Sequence, residues 1–487
     1  MQRYRLPRLQ DLLFITVFVG GLVLGARMLN TDSDLGRHLT LGNYILQSGR
    51  IPAQDILSYT RAGDSRPPYE WLSQVLFAAA FRLLGFDGVV LLTSVVIAAA
   101  FSLVFQDALK RSGGPLLSLL IVALAAAASS LHWLTRPHVF SFLFFAVWLA
   151  MLDRVRRAER QPLWQFPLLM ALWANMHGSF VFGFLAYAAY LVAWLLGLRR
   201  PPAGGWTGRR LLLVGVTSLA ASAATPDLWH NWDAVLGNRS AYVLSRTAET
   251  MPVNPALPNT WAFLFLVALS ALLVLAHFRQ LPPAHVILLA GLVVASFLMA
   301  RNVPLFVIAA APLCATWLAC DLQRVLPWSK LEDGFGSIDR SLRGFLWSGF
   351  AVVLATGILL YHRSEARGNF YTLNPRVFPV HAADWLERNP LPGHMFNDFN
   401  WGGYLLFRTW PDQRVFVDSQ SDFYGEPLIR EYADILGATP GWEAELIKYQ
   451  VSWLVVPPAA PLAVQARRSA SWRVAYEDAV AIILVRR

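Results

Sequence analysis

Charge is scarce in this chain: Asp, Glu, Lys and Arg make up 15% of its 487 residues, against 56% hydrophobic ones that include 19 Trp and 30 Phe. So little polar surface does not cover a water-soluble globule of this length, which excludes a soluble fold and predicts a polytopic membrane protein. Cysteine is almost missing. Cys314 and Cys320 stand in one apolar run, on different faces of a helix, and their spacing matches neither a disulfide framework nor a zinc site. No internal repeat or low-complexity tract stands out, so neither a solenoid nor an evident inverted-repeat transporter gains support. A small-residue cleavage site is also missing after the basic start MQRYRLPR, so 12–29 reads as a retained anchor. The formal charge of +10 does not indicate nucleic acid, because the arginines fall in short clusters between apolar runs, where they set orientation.

What the chain does have is eleven apolar runs long enough, or nearly so, to cross a bilayer as helices. They centre on 12–28, 89–108, 115–131, 139–152, 163–175, 180–198, 211–225, 260–277, 285–300, 303–318 and 344–361. A twelfth, YEWLSQVLFAAAFRLLG at 69–85, carries Glu70, Gln74 and Arg82. If it crossed, the basic loops at 153–161 and 199–210 would fall outside, against the positive-inside rule, so it reads as an interfacial helix. The expected layout is a cytoplasmic N-terminus, eleven crossings and a first external loop over 30–88 with two surface helices. The first of these starts at an Asp32 or Asp34 cap and stops at Gly49, before Pro52.

Past residue 362 the composition turns charged and rich in Pro and Trp. Residues 1–362 therefore read as a transmembrane domain and 363–487 as an extracytoplasmic α/β domain. Its predicted helices lie in AADWLERN and GWEAELIKYQ, its strands in RVFVDS, VSWLVVP and VAIILVRR. Gly402 and Gly403 predict a strand-edge turn, or a turn that hangs with 418–422 over the membrane cavity to admit an acceptor.

With this topology the ionisable residues collect at one membrane face: Asp32, Asp34, His38 and Glu70, then HWLTRPH at 132–138, NMHGS at 175–179, TPDLWHNWD at 225–233 and ARNVP at 300–304. Taken singly, each has a plain reading: a helix cap for the aspartates, snorkelling for the arginines, packing for the histidines. An ionisable group at membrane depth costs about 2.5–3.5 kcal/mol, so their convergence on one face points to a wet, partly embedded site. The Asn238-Arg-Ser sequon is a weak match that matters only in a glycosylating host.

These residues resemble the GT-C superfamily, polytopic glycosyltransferases that use polyprenyl-phosphate donors on the outer membrane face. The resemblance rests on Asp32-Ser33-Asp34 followed by His38-Leu39 and Gly42, then EWLS from Glu70, RPHVFSF from Arg136, NMHGSF from Asn175, RNVPLF from Arg301, WGGYL from Trp401 and VFVDS from Val415. The chain departs from the family pattern at Gly36 and Arg37, where two tryptophans stand, and at Tyr69, where a histidine stands.

The resemblance implies an α-helical GT-C-like membrane protein with about eleven spans and an extracytoplasmic α/β domain, set in a bacterial cytoplasmic membrane. It also implies a sugar transferred from a polyprenyl-phosphate-linked donor to a lipid, glycan or protein acceptor. Such chemistry needs a base and cations for the departing phosphate. Asp34, with Asp32 beside it and His38 one turn on to tune it, is the expected base. Arg136 and Arg301, with His138 and His177, are expected at the donor phosphate. Glu70, Asn175, Asn302, Asp418 and Asp422 are expected at the substrate. Asp32 and Glu70 also suit a divalent Mg2+ or Mn2+ ion, although the sequence establishes no metal. Two rival readings are a transporter or flippase for a lipid-linked or anionic solute, which predicts polar residues near mid-span, and a non-catalytic assembly protein.

Overall fold

The computed structural model describes residues 5–198, 205–237, 240–244, 251–323, 325–342, 344 and 346–487; the Asn238 sequon lies outside the described residues. Long apolar runs become helices because in hydrocarbon each backbone polar group must be bonded within its own segment. In chain order the helices are α1 (Leu9–Val23), α2 (Gly25–Asn30), α3 (Leu35–Ser48), α4 (Trp71–Leu84), α5 (Phe86–Ser112), α6 (Pro115–Ser129), α7 (His138–Arg156), α8 (Gln165–Met176), α9 (Val181–Leu195) and α10 (Gly208–Ser222). The short α11 (His230–Leu236) and α12 (Ala241–Leu244) precede α13 (Trp261–His277), α14 (Pro283–Leu298), α15 (Val303–Leu322), α16 (Leu326–Ser341) and α17 (Leu346–His362).

A helix stands at each of the eleven apolar runs. Among the described residues seven helices, α5, α6, α7, α9, α13, α15 and α17, are long and apolar enough to cross a membrane, some with an adjoining turn included. The chain is thus a multi-pass membrane protein, and α5, α7 and α15 are the most enclosed of the seven. The other four expected crossings rest on shorter helices: α1 and α14 are apolar, and α8 and α10 have 12 and 15 residues. With 14 residues, α4 is about 21 Å long, short of a hydrocarbon core of roughly 30 Å.

The first loop departs from its expected form. Instead of lying on a surface, α3 is buried between α4 and α19 (Gly402–Thr409), with Leu35, Arg37, His38, Leu39, Leu41 and Ile45 enclosed. Two glycines allow this. A Cβ on Gly42 would stand 2.1 Å from the Gln74 carbonyl oxygen, and one on Gly36 would stand 2.1 Å from that of Gly403. Gly402 and Gly403 therefore open a helix that packs backbone to backbone on α3, where a turn was expected, because only residues without a side chain fit that separation.

The chain then adds α18 (Val380–Arg388), β1 (His394–Asn397), α20 (Ser421–Leu436), α21 (Trp442–Lys448), β2 (Val451–Val456), α22 (Pro461–Arg468), β3 (Trp472–Glu477) and β4 (Ile482–Arg486) around α19. The strands form one sheet in the order β1-β2-β4-β3, with β1 parallel to β2 and the other pairs antiparallel. VSWLVVP and VAIILVRR supply β2 and β4 as expected. RVFVDS does not join the sheet. Val415, Phe416 and Val417 are fully buried, the Asn397 side chain bonds the backbone at Phe416 and Val417, and Val415 makes an isolated parallel bridge with Ser58. First-loop residues complete the surrounding core: Leu41 and Leu57 pack with Phe378, Leu405 and Trp453, and Tyr59 packs against the cluster that holds Phe416 and Tyr424.

Candidate active site

A cavity of about 210 Å3 opens where the start of α3, the N-cap of α4, the start of α7, the turn before α9, the turn before α15 and the segment 419–422 converge. Of the residues expected from sequence, Asp34, Glu70, Arg136, His138, His177, Arg301, Asn302 and Asp422 line it.

Asp34 is the N-cap residue of α3, and its side chain turns away from the helix. One carboxylate oxygen accepts from Arg136, and the other accepts from the Ser419 hydroxyl and faces Arg37 Nη2 at 3.3 Å. Burial opposes ionisation of Asp34, but Arg136 and Arg37 outweigh it and hold this carboxyl well below the usual range. Asp32 lies behind, off the cavity wall. Its Oδ1 accepts the Asp34 amide at 2.9 Å and faces Arg136 Nε at 3.7 Å, while Oδ2 is buried with no hydrogen-bond partner among the described residues. Burial pushes Asp32 up to about 7 against the pull of Arg136, and the Asp34 charge adds to the rise.

Glu70 faces the cavity between two histidines, 3.7 Å from His177 Nε2 and 3.9 Å from His38 Nδ1. Burial pushes its carboxyl up to about 7, against Arg37 and Arg136. The Ser179 amide donates to His177 Nδ1 at 3.1 Å, so in the neutral ring Nε2 carries the proton and points toward Glu70. His138 Nε2 is 2.9 Å from the His132 carbonyl, to which it donates, and the two rings lie 4.5 Å apart.

Three expectations require correction. The His38 ring does not line the cavity: it is buried beside Gln74 and Glu70, where α3 packs on α4, and from there it still interacts electrostatically with Asp34. Asn175 does not reach the cavity: it accepts from Trp71 Nε1 at 2.6 Å and donates to the carbonyls of Ala171 and Ala224, which ties α8 to its neighbours. Asp418 is fully buried, bonded to Arg66 Nη2 at 2.9 Å and to the Gln420 amide at 2.8 Å, and does not line the cavity.

No family model matches the sequence, and no curated protein matches it. Among solved structures, the oligosaccharyltransferase AglB from Archaeoglobus fulgidus, in complex with an inhibitory peptide and a dolichol-phosphate, matches with a TM-score of 0.63 at 13% identity, over 91% of this chain and 69% of that one. ArnT from Cupriavidus metallidurans, in the apo state, matches with a TM-score of 0.52 at 12% identity, over 96% of this chain and 97% of its own. The chain has the GT-C fold. At these identities the likeness is one of architecture.

Within the GT-C fold, the residues present do not fit a resident divalent ion. Among the described residues no group of three or more His, Cys, Asp or Glu side chains converges as a metal site. Asp32 stands off the cavity wall, and Asp34 is engaged by two guanidinium groups and a hydroxyl. The cavity also holds Arg37, Tyr69 and Ser141, which were not expected in the site, and Ser419, from the 418–422 stretch expected over it. For Arg37 a signal existed, since it sits one turn after Asp34 in a helix. For Ser419 the sequence marks the stretch but not the partner, since Asp34 lies 385 residues earlier.

Proposed function

We propose that the protein transfers a sugar from a polyprenyl-phosphate-linked donor to a hydroxyl of a lipid, glycan or protein acceptor. The site would face outward from a bacterial cytoplasmic membrane, with the N-terminus inside and residues 363–487 forming the extracytoplasmic domain. The observation that carries this reading is the pairing, on one cavity wall, of an arginine-held carboxylate at Asp34 with a near-neutral carboxyl at Glu70. In the transfer the acceptor oxygen bonds to the anomeric carbon. The bond from that carbon to the phosphate oxygen breaks, its electron pair leaves with the phosphate, and the acceptor proton passes to a carboxylate. Glu70 suits the proton better than Asp34, because a base works best with a pKa near the working pH. Asp34 then serves to hold Arg136, and Arg136 with Arg301 receives the phosphate.

The test is native mass spectrometry of the purified protein in nanodiscs with added undecaprenyl phosphate. Wild type should retain the lipid through activation energies that strip bulk phospholipid, and Arg136→Gln with Arg301→Gln should lose it. Equal retention by the double variant, or none by wild type, overturns the reading.

A further inference from the structure

Seven side chains of alternating charge run from Asp55 in the first loop past the cavity wall to Asp32 behind it. Asp55 accepts from Arg66 Nη1 at 2.6 Å, and Arg66 Nη2 donates to Asp418 at 2.9 Å. Asp418 faces Arg37 Nε at 3.9 Å, Arg37 reaches Asp34 at 3.3 Å, and Asp34 bonds Arg136, whose Nε lies 3.7 Å from Asp32. The links before Arg136 are almost wholly enclosed, with Asp55, Arg66, Asp418, Arg37 and Asp34 each 6% exposed or less. Arg66 is further committed: Nε and Nη2 donate to the Gln420 side chain at 3.1 and 2.7 Å, and its guanidinium lies 4.4 Å over the Phe423 ring. Both neighbours of Ser419 are therefore clamped by one first-loop arginine, and Ser419 is the residue that clamp delivers to Asp34.

We propose that Ser419 is a positioning residue for Asp34, and that the Arg66–Asp418 clamp sets it there. The proposal rests on the reading of Arg136 as a phosphate ligand. When an anionic phosphate draws on Arg136, Asp34 loses its shortest cationic partner. A buried carboxylate that loses a partner moves or takes up a proton unless other donors hold it. Ser419 and Arg37 are those partners, since the Ser419 hydroxyl bonds, and the Arg37 guanidinium faces, the oxygen that Arg136 does not use. The segment after α19 thus keeps the start of α3 in place while the donor is bound.

Hydrogen exchange on the full-length protein in nanodiscs, with and without undecaprenyl phosphate as the probe, tests this. Without lipid, Arg66→Gln should speed exchange by roughly tenfold in both 31–38 and 413–424, because one clamp orders both. Ser419→Ala should leave 413–424 unchanged, keep an apparent Tm close to wild type, and lose protection in 31–38 once the lipid is added. Ser419→Thr, which keeps the hydroxyl, should restore it. If 31–38 in Ser419→Ala exchanges as in wild type both with and without lipid, the positioning role is wrong. If wild type takes up no undecaprenyl phosphate, the phosphate reading of Arg136 fails; the lipid-free Arg66→Gln comparison still decides whether the clamp couples the two segments.

Discussion

Gly36→Ala is the smallest substitution that should disable the site. The added Cβ would stand 2.1 Å from the Gly403 carbonyl oxygen and 2.6 Å from its carbon, both backbone atoms of a helix that cannot rotate away as a side chain would. Restoring ordinary contact needs α3 and α19 to part by about 1 Å. Overpacking of this kind costs about 1–3 kcal/mol, and a backbone obstacle places this case near the upper value. The same shift carries Asp34 and Arg37, which flank Gly36, away from Ser419, Asp418 and Arg136. A misplacement of about 1 Å at reacting groups costs on the order of 100-fold in rate. Apparent Tm in nanodiscs should therefore fall and retention of undecaprenyl phosphate should weaken. Gly403→Ala should act alike, since its Cβ would stand 2.3 Å from the Ser33 carbonyl oxygen. Because parting the helices once relieves both clashes, the double variant should cost less than the sum. Gly334→Ala, in α16 with nothing within 4 Å of the new Cβ, should be neutral or stabilising by up to about 1 kcal/mol. If Gly36→Ala keeps the wild-type Tm and lipid retention, the backbone contact between α3 and α19 does not hold the site together.

Asp32 and Glu70 have pKa values raised in the folded state to about 7, so their stabilising contribution is complete below their unfolded values and is lost as pH rises through 7. Buried histidines, His38 among them, are held below the usual imidazole range and act in the opposite sense, so the readout is the difference between two chains. From about pH 5 to pH 8 wild type should lose Tm relative to Asp32→Asn with Glu70→Gln, and parallel Tm curves for the two refute the assignment. Asp34, shifted the other way, contributes above its unfolded value and adds no slope there. Deleting residues 370–487 would uncover Leu41 and Leu57, 7% and 0% exposed, and strip Arg66 of Asp418. The truncated chain should aggregate on size exclusion instead of forming a stable membrane core; a monodisperse product would contradict the shared core.

The apolar runs told where helices form, and polar residues at run ends told which side chains would meet, because membrane burial leaves ionisable groups few places to go. VSWLVVP and VAIILVRR read as strands because both are compact β-branched runs. RVFVDS carried the same signal, yet it pairs with one stretch of the first loop around Ser58 and with the Asn397 side chain, which no period reveals. Asp418 stood in a polar stretch, DSQSD, that reads as an open loop, and only a buried arginine 352 residues earlier turns it inward. Gly36 and Gly403 carried a glycine signal without naming each other. Local chemistry was legible; pairings across the chain were not.

The clamp between Arg66 and Asp418 also imposes an order on synthesis. The two residues are 352 positions apart, and at about 5–20 residues per second the ribosome needs roughly 20–70 s to make the second after the first. For that interval Arg66 and Asp55 have each other but not Asp418 or Gln420, Arg37 lacks its inner partner, and the faces of Leu41 and Leu57 have no sheet to meet. The helices between can settle into the bilayer as they emerge, while the first loop waits. The cavity end of this protein is begun first and closed last, and its completion waits on translation of the final quarter of the chain.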